Sequence, residues 1–383
     1  MPEAAIPYGR QWIDDDDINA VVEVLRSDYL TTGPAVAAFE DSLCRITGAE
    51  RAVVMNSGTS ALHAMYAAAG LARGDEIVTT PLTFAATANA ALYLGAAVRF
   101  ADVRSDTGNL DPSMVEAQIT DRTKLVVVVD YAGMPADYDE LTEICDRRGV
   151  SLVADAAHSL GATYHGRQVG TLARATELSF HPVKPITTAE GGAVLSADLA
   201  LAEHAARFRT HGITRDDREM EEPDPPGWHY EMLELGFNYR MTDLQAALGR
   251  SQLRHLAGFI ERRREIAARY LEAFGDLDAL VLPAVPDGVE PGWHLFVVRV
   301  AGDPVGRRPL FNRLRELGLG VQVHYIPVYW HPYYRDLGFR RGACSVAEDY
   351  AARAISLPIY PLMTDDEVTR VIELVRHAVT DRL

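Results

Sequence analysis

The chain reads as an α/β protein: a large domain on a mainly parallel sheet flanked by helices, then a smaller C-terminal α+β domain. Three observations predict this. Strand-like and helix-like patterns alternate from Arg51 to about Ala154, as βα units do. Leu125-Val126-Val127-Val128-Val129 is apolar without a break, as expected of a strand covered on both faces. The chain has 383 residues, more than one ordinary core holds, and its pattern changes after Pro283. The expected division is 1–250, a cofactor-binding domain with the N-terminal segment, and 251–383, the small domain.

In order, Asp14 to Asp17 precede an apolar stripe of Ile18, Val21, Val22 and Leu25 at helical spacing. Four acids at a helix start suit its dipole and read as a solvated cap. Pro34 opens a second helix, reaching about Thr47. Strand 51–55 runs into Asn56-Ser57-Gly58-Thr59-Ser60, then a helix over 61–71. Strand 76–79, helix 84–94, strand 97–101, helix 112–119, strand 125–129, helix 141–148 and strand 151–154 follow. Glu219 to Trp228 is acidic and Pro-rich and reads as an exposed, mobile loop. Thr242 can cap one long helical region, 243–274. Beyond it come strand 293–300, helix 310–317, strand 321–323, and helices 345–354 and 365–380.

Composition narrows the function. The chain is 48% hydrophobic and 24% charged, with a formal charge of −17. That balance disfavours sequence-independent nucleic-acid binding and anionic membrane surfaces. No apolar run reaches membrane-spanning length, and no secretory pattern is visible at the N-terminus. Cys44, Cys145 and Cys344 are odd in number and far apart, without metal spacing. They read as reduced thiols of a cytoplasmic protein.

The chemistry centres on Ser179-Phe180-His181-Pro182-Val183-Lys184-Pro185-Ile186-Thr187-Thr188-Ala189-Glu190-Gly191-Gly192. Prolines on both sides of Lys184 exclude a helix there. The lysine therefore projects from a stiff loop between two strands. Poor hydration favours its neutral amine, a nucleophile toward carbonyls. A surface lysine would be the ordinary alternative, so the other pieces matter. Asn56 to Ser60 offers a helix N-terminus suited to a phosphate, without a Walker lysine or GxGxxG spacing. Asp155 ends a buried strand and needs a partner; a pyridinium nitrogen, a structural ion pair, or a metal shared with His158 would each serve. Phe84 opens a helix, where it can stack on a heterocycle or belong to the core. Ser179 can bind an anion beside the lysine loop. Gly236-Phe237-Asn238-Tyr239-Arg240 and Val323-His324-Tyr325-Ile326-Pro327 are polar turns able to grip hydroxyls and phosphates. Together, in this order, the set matches pyridoxal 5′-phosphate held by phosphate, ring nitrogen and Schiff-base lysine.

The segments 56–62, 155–161, 179–193, 236–245 and 324–327 resemble the DegT family of sugar-nucleotide aminotransferases, across essentially the whole chain. The resemblance implies fold type I architecture and a homodimer with shared sites. It implies that Lys184 forms the Schiff base and Asp155 meets the pyridine nitrogen. By the same matching, Gly58, Thr59, Ser60 and Ser179 lie on the phosphate side, and His158 and Phe84 flank the ring. Asn238 would be lent by the other subunit. Some family members carry His at the lysine position and dehydrate instead; Lys184 favours transamination.

Within the family, the stretches 179–194, Asp130-Tyr131-Ala132-Gly133 and 323–327 correspond best to members that aminate a UDP-linked 4-keto-6-deoxy sugar with glutamate. Tyr8, Tyr29, Leu30 and Thr31 would then contact the sugar nucleotide, with Gly58, Ser179, Asn238, His324, Tyr325, Ile326 and Pro327. UDP-4-keto-arabinose and GDP-4-keto-6-deoxymannose stay open as substrates, as do a lyase reaction and a non-catalytic regulator. No metal is expected. The insertion at 219–228 departs from the family pattern just before Asn238.

Overall fold

The computed structural model describes residues 5–380. Its centre is a seven-stranded sheet in the order Arg51–Met55, Gly192–Ser196, Ala175–Ser179, Ser151–Asp155, Thr123–Val129, Glu76–Thr79, Ala97–Phe100. Only Gly192–Ser196 runs antiparallel to its neighbours; the other pairings are parallel. Helices cover both faces, so the central strands are buried over most of their length, and Val126, Val127 and Val128 are fully inaccessible. This is the fold type I arrangement. Because six strands point one way, Met55, Thr79, Val129, Asp155 and Ser179 all finish at one edge of the sheet, where crevices form in such folds.

The C-terminal region carries its own antiparallel sheet of Leu280–Val281, Phe296–Val300 and Ala354–Leu357. Helices Arg307–Glu316 and Asp365–Thr380 pack beside it. The N-terminal residues join this region: Ile6 N–H donates to the Gly318 carbonyl (2.9 Å), Gly320 N–H to that of Ile6 (2.7 Å), and Ile359 N–H to that of Tyr8 (3.2 Å). Val289–Glu290 pairs with Thr163–Tyr164, a second seam between the early and late chain.

Several elements differ from expectation, each through tertiary contacts. The region 243–274 is two helices, Asp243–Leu253 and Leu256–Phe274. The break falls where Gln252 Nε2 donates to the Trp12 carbonyl (2.9 Å) and His255 packs edge-on against Trp12. Residues 321–323 form no strand but one bridge, Gln322 to Ser356, before the chain turns toward the central sheet. The strand expected from 293 begins at Phe296, because Trp293 and His294 turn their carbonyls to Arg263. Leu199–Phe208 is a helix that the sequence reading passed over, capped by Asp198. Asp14 does cap the first helix, but Asp17 is fully buried, accepting from Gln252 Nε2 at 2.5 Å. The 219–228 loop is exposed yet tethered: Glu231 accepts from the N–H groups of Glu221 (2.7 Å) and Glu222 (2.9 Å).

Candidate active site

The lysine loop is braced from within. Phe180 is fully buried against Phe39, with ring centroids 5.3 Å apart. Its carbonyl accepts from Thr188 N–H (3.0 Å) and Thr187 Oγ1 (3.2 Å), and Lys184 N–H donates to the His181 carbonyl (2.9 Å). Gly192 allows a close backbone approach: a Cβ there would lie 2.6 Å from the Ser57 carbonyl and 2.7 Å from Gly58 N. The strand after the loop thus packs directly on the start of helix Gly58–Ala68. Burial lowers the Lys184 amine to about 8, although Asp155 and Glu177 attract the charged form. Roughly a tenth of the amine is therefore neutral at pH 7, far more than for an ordinary lysine.

Asp155 ends its strand 6% exposed. Its Oδ2 accepts from Thr87 Oγ1 at 2.6 Å and its Oδ1 from Ala157 N–H at 3.2 Å. Opposite it, Ser57 caps helix Gly58–Ala68 in a reciprocal box with Ser60. The Gly58 and Thr59 end of that helix, with its free N–H groups, faces the same space. A Cβ on Gly58 would lie 2.6 Å from Glu177 Oε1 and 3.0 Å from Ser179 Cβ, so only glycine leaves room.

A ring cluster closes the far wall. His158 Nε2 lies 3.0 Å from Tyr325 Oη, and its ring is 4.4 Å from His294. Burial, with the Lys184 charge beside it, holds His158 well below its usual range; burial lowers His324 to about 4. Both imidazoles are neutral at pH 7. His158 Nδ1 is buried without a hydrogen-bond partner. Arg263 fixes His294 from behind, donating to the carbonyls of Trp293 (3.2 Å), His294 (3.3 Å) and Ile359 (2.9 Å). His324 is pinned by Ser356 Oγ at 2.8 Å from Nδ1 and by Tyr131 Oη on its carbonyl.

These groups enclose a cavity of about 500 Å³. Ten expected residues line it: Tyr8, Gly58, Thr59, Phe84, Asp155, His158, Ser179, Lys184, His324 and Tyr325. Ser60 does not, because its hydroxyl donates to Asn56 Oδ1 (2.8 Å) within the capping box. Asn238 is exposed and pairs with Thr210 through its backbone. Tyr29, Leu30 and Thr31 are exposed beside the start of helix Asp243–Leu253, where the Leu30 carbonyl accepts from Asp243 N–H (3.0 Å). Ile326 points outward and Pro327 is buried behind the lining. The sequence reading missed Glu177, Thr87 and His294. Glu177 was discernible as a lone charge in the strand Ala175-Thr176-Glu177-Leu178-Ser179; His294 carried no comparable signal.

The sequence profile of the DegT/DnrJ/EryC1/StrS aminotransferase family matches residues 11–376, and the chain belongs to that family. It is 39% identical over 336 residues to the UDP-4-amino-4,6-dideoxy-N-acetyl-β-L-altrosamine transaminase of Campylobacter jejuni, covering 87% of this chain and 86% of that protein. Among solved structures it resembles Helicobacter pylori PseC, an aminotransferase of pseudaminic acid biosynthesis, with TM-score 0.92 and 34% identity over 98% of this chain and 100% of that one. Spr1654 of Streptococcus pneumoniae, in its pyridoxal phosphate form, aligns with TM-score 0.92 and 29% identity over 99% of this chain and 100% of that one.

The protein is a sugar aminotransferase that uses pyridoxal phosphate. The residues present fit that group. The cavity offers one amine, a helix start kept open by Gly58, a buried carboxylate opposite, and the unpartnered His158 Nδ1.

Proposed function

We propose that the protein transfers the amino group of glutamate to C4 of a UDP-linked 4-keto-6-deoxy sugar. The product would be UDP-4-amino-4,6-dideoxy-N-acetyl-β-L-altrosamine, a step toward pseudaminic acid. The observation that carries the reading is Lys184: an amine lowered to about 8, on a braced loop, beside a buried carboxylate. The choice of sugar is supported by the Campylobacter relative and the PseC likeness.

When bound, the cofactor supplies an aldehyde that joins amines and a ring that takes up electrons from the adjacent carbon. Lys184 Nζ is the catalytic residue: it carries the proton off the α-carbon of glutamate in the first half-reaction and delivers one to C4 of the sugar in the second, ending each half-reaction as the free amine. Asp155, its own two oxygens held by Thr87 and Ala157, would meet the ring nitrogen and favour its protonated form. Gly58, Thr59, Ser60 and Ser179 form the phosphate end, Ser60 by holding the capping box together. Phe84 and His158 bound the ring. His324, Tyr325 and Tyr8 form the sugar and diphosphate side, with Ile326 and Pro327 carrying the turn that holds Tyr325 in place. With a division at 250/251, as we read the chain, the cavity would lie between the two parts, since its lining includes His294, His324 and Tyr325 beside residues of the first part.

The test is a product assay with glutamate and UDP-2-acetamido-2,6-dideoxy-β-L-arabino-4-hexulose. The expected result is the 4-amino sugar with 2-oxoglutarate released in equal amount. Faster turnover of UDP-4-keto-arabinose or GDP-4-keto-6-deoxymannose by the same preparation would overturn the choice of sugar.

The reading includes a cytoplasmic homodimer. Among the described residues no helix is long and apolar enough to cross a membrane, and the three cysteines are unbridged. Exposed Tyr29, Leu30, Leu235 and Phe237 lie with Asn238 on segments that do not line their own cavity, which suits burial against a second copy. Asn238 would then serve the partner's site. Mixing inactive Lys184→Ala with impaired Asn238→Ala subunits should restore roughly a quarter of wild-type activity by random pairing in two-fold dimers. No recovery after subunit exchange would remove Asn238 from the shared site.

A further inference from the structure

We propose that Glu177 is a second carboxyl group of the cofactor pocket that shares one proton with Asp155, so that the pair presents a single negative charge beside the Lys184 amine. The proposal rests on the pyridoxal phosphate reading of this cavity and adds a residue to it. Three features of the strand pair carry it. Asp155 and Glu177 are register partners on adjacent parallel strands, so their side chains leave the sheet on one face. Both are buried, at 6% and 1% exposure, and both line the cavity. Their donors are divided unequally. Thr87 and Ala157 both donate to Asp155, whereas no donor among the described residues reaches the Glu177 carboxyl, and Oε2 is buried without a partner.

An ionised carboxylate with no donor is the costliest form in which to bury this side chain. A protonated one removes the charge and gives its O–H to the carboxylate alongside. The groups facing Glu177 agree with that. Asp155 opposes a second charge from one neighbouring strand, while the strand on the other side offers only Val194. Tyr66 faces it from helix Gly58–Ala68 as a neutral phenol, its ionisation suppressed by burial. Lys184 alone favours the charged form. Burial first, and then Asp155, push the Glu177 carboxyl well above its usual range.

The consequence concerns the cofactor. Glu177 Oε1 lies against Gly58, at the helix start where a phosphate dianion would arrive. A second negative charge there would repel it. A neutral Glu177 leaves the helix start free to bind an anion and orients Asp155 toward the ring nitrogen. Glu177 is thus a positioning residue.

The test uses the full-length protein and two variants, Glu177→Gln and Glu177→Leu. Infrared difference spectra of cofactor-free wild type minus Glu177→Gln at pH 7.5 should show the carbonyl stretch of a protonated carboxyl. Other buried acids are common to both and subtract. In titrations with pyridoxal phosphate, Glu177→Gln should bind within about threefold of wild type, since its amide can still donate to Asp155. Glu177→Leu should bind about tenfold more weakly, the loss of one charge-assisted hydrogen bond. Absence of the infrared band, or equal affinity of the Gln and Leu variants, would overturn the proposal. Failure of wild type to bind pyridoxal phosphate would overturn the cofactor reading instead, and the infrared band still decides the protonation of Glu177 independently.

Discussion

Lys184→Ala is expected to lower transamination at least about a thousandfold, because it removes both the nucleophile and the proton carrier. The fold should survive. No hydrogen bond holds the Lys184 side-chain amine among the described contacts, and the substitution removes a cation that is costly to desolvate. Circular dichroism and thermal melting should therefore match wild type. Borohydride trapping followed by peptide mass spectrometry should place the pyridoxyl adduct on Lys184 in wild type and nowhere in the variant. The amine also sets a pH dependence. With the group lowered to about 8, the neutral form grows as pH rises, so cofactor attachment should quicken roughly tenfold from pH 7 to 9 and then level off. Residual turnover above one-hundredth of wild type in Lys184→Ala would contradict the assigned role.

Asp155→Asn is the second large effect. The amide keeps the size of the carboxylate and can still accept from Thr87, now at 2.6 Å, but carries no charge to hold a proton on the ring nitrogen. A loss of about two to three orders of magnitude in kcat is expected, with a smaller change in KM for the sugar nucleotide. Steady-state rates on the same ketosugar measure it. An Asn variant within tenfold of wild type would show that the buried carboxylate is structural.

Much of this was legible in the sequence, for identifiable reasons. The sheet was readable because βα periodicity and the Val-rich strand at 125–129 are local patterns. Lys184, Asp155 and the Gly58 turn were readable because loop chemistry and strand ends are local too. The misreadings were of another kind. The break at Arg254-His255 follows from Gln252 and His255 reaching Trp12, more than 200 positions earlier. Asp17 looked like a solvated acid because its buried partner, Gln252, is equally remote. Glu177 was passed over as a strand residue, since nothing in its neighbourhood says that position 155 lies alongside. His294 is placed by Arg263 through main-chain carbonyls, an interaction without a residue pattern to detect.

The backbone rung between Ile359 and Tyr8 has a consequence for biogenesis. One wall of the cavity is secured by this rung together with the bonds of Ile6 to Gly318 and Gly320, and another is pinned by Ser356. While the polypeptide is still emerging from the ribosome, the sheet strands can all be present and the pocket still unfinished. A nascent chain halted before residue 356 would have Lys184 and Asp155 but not the enclosure that dries the amine, so vitamin capture should await synthesis of the stretch from Ser356 to Ile359.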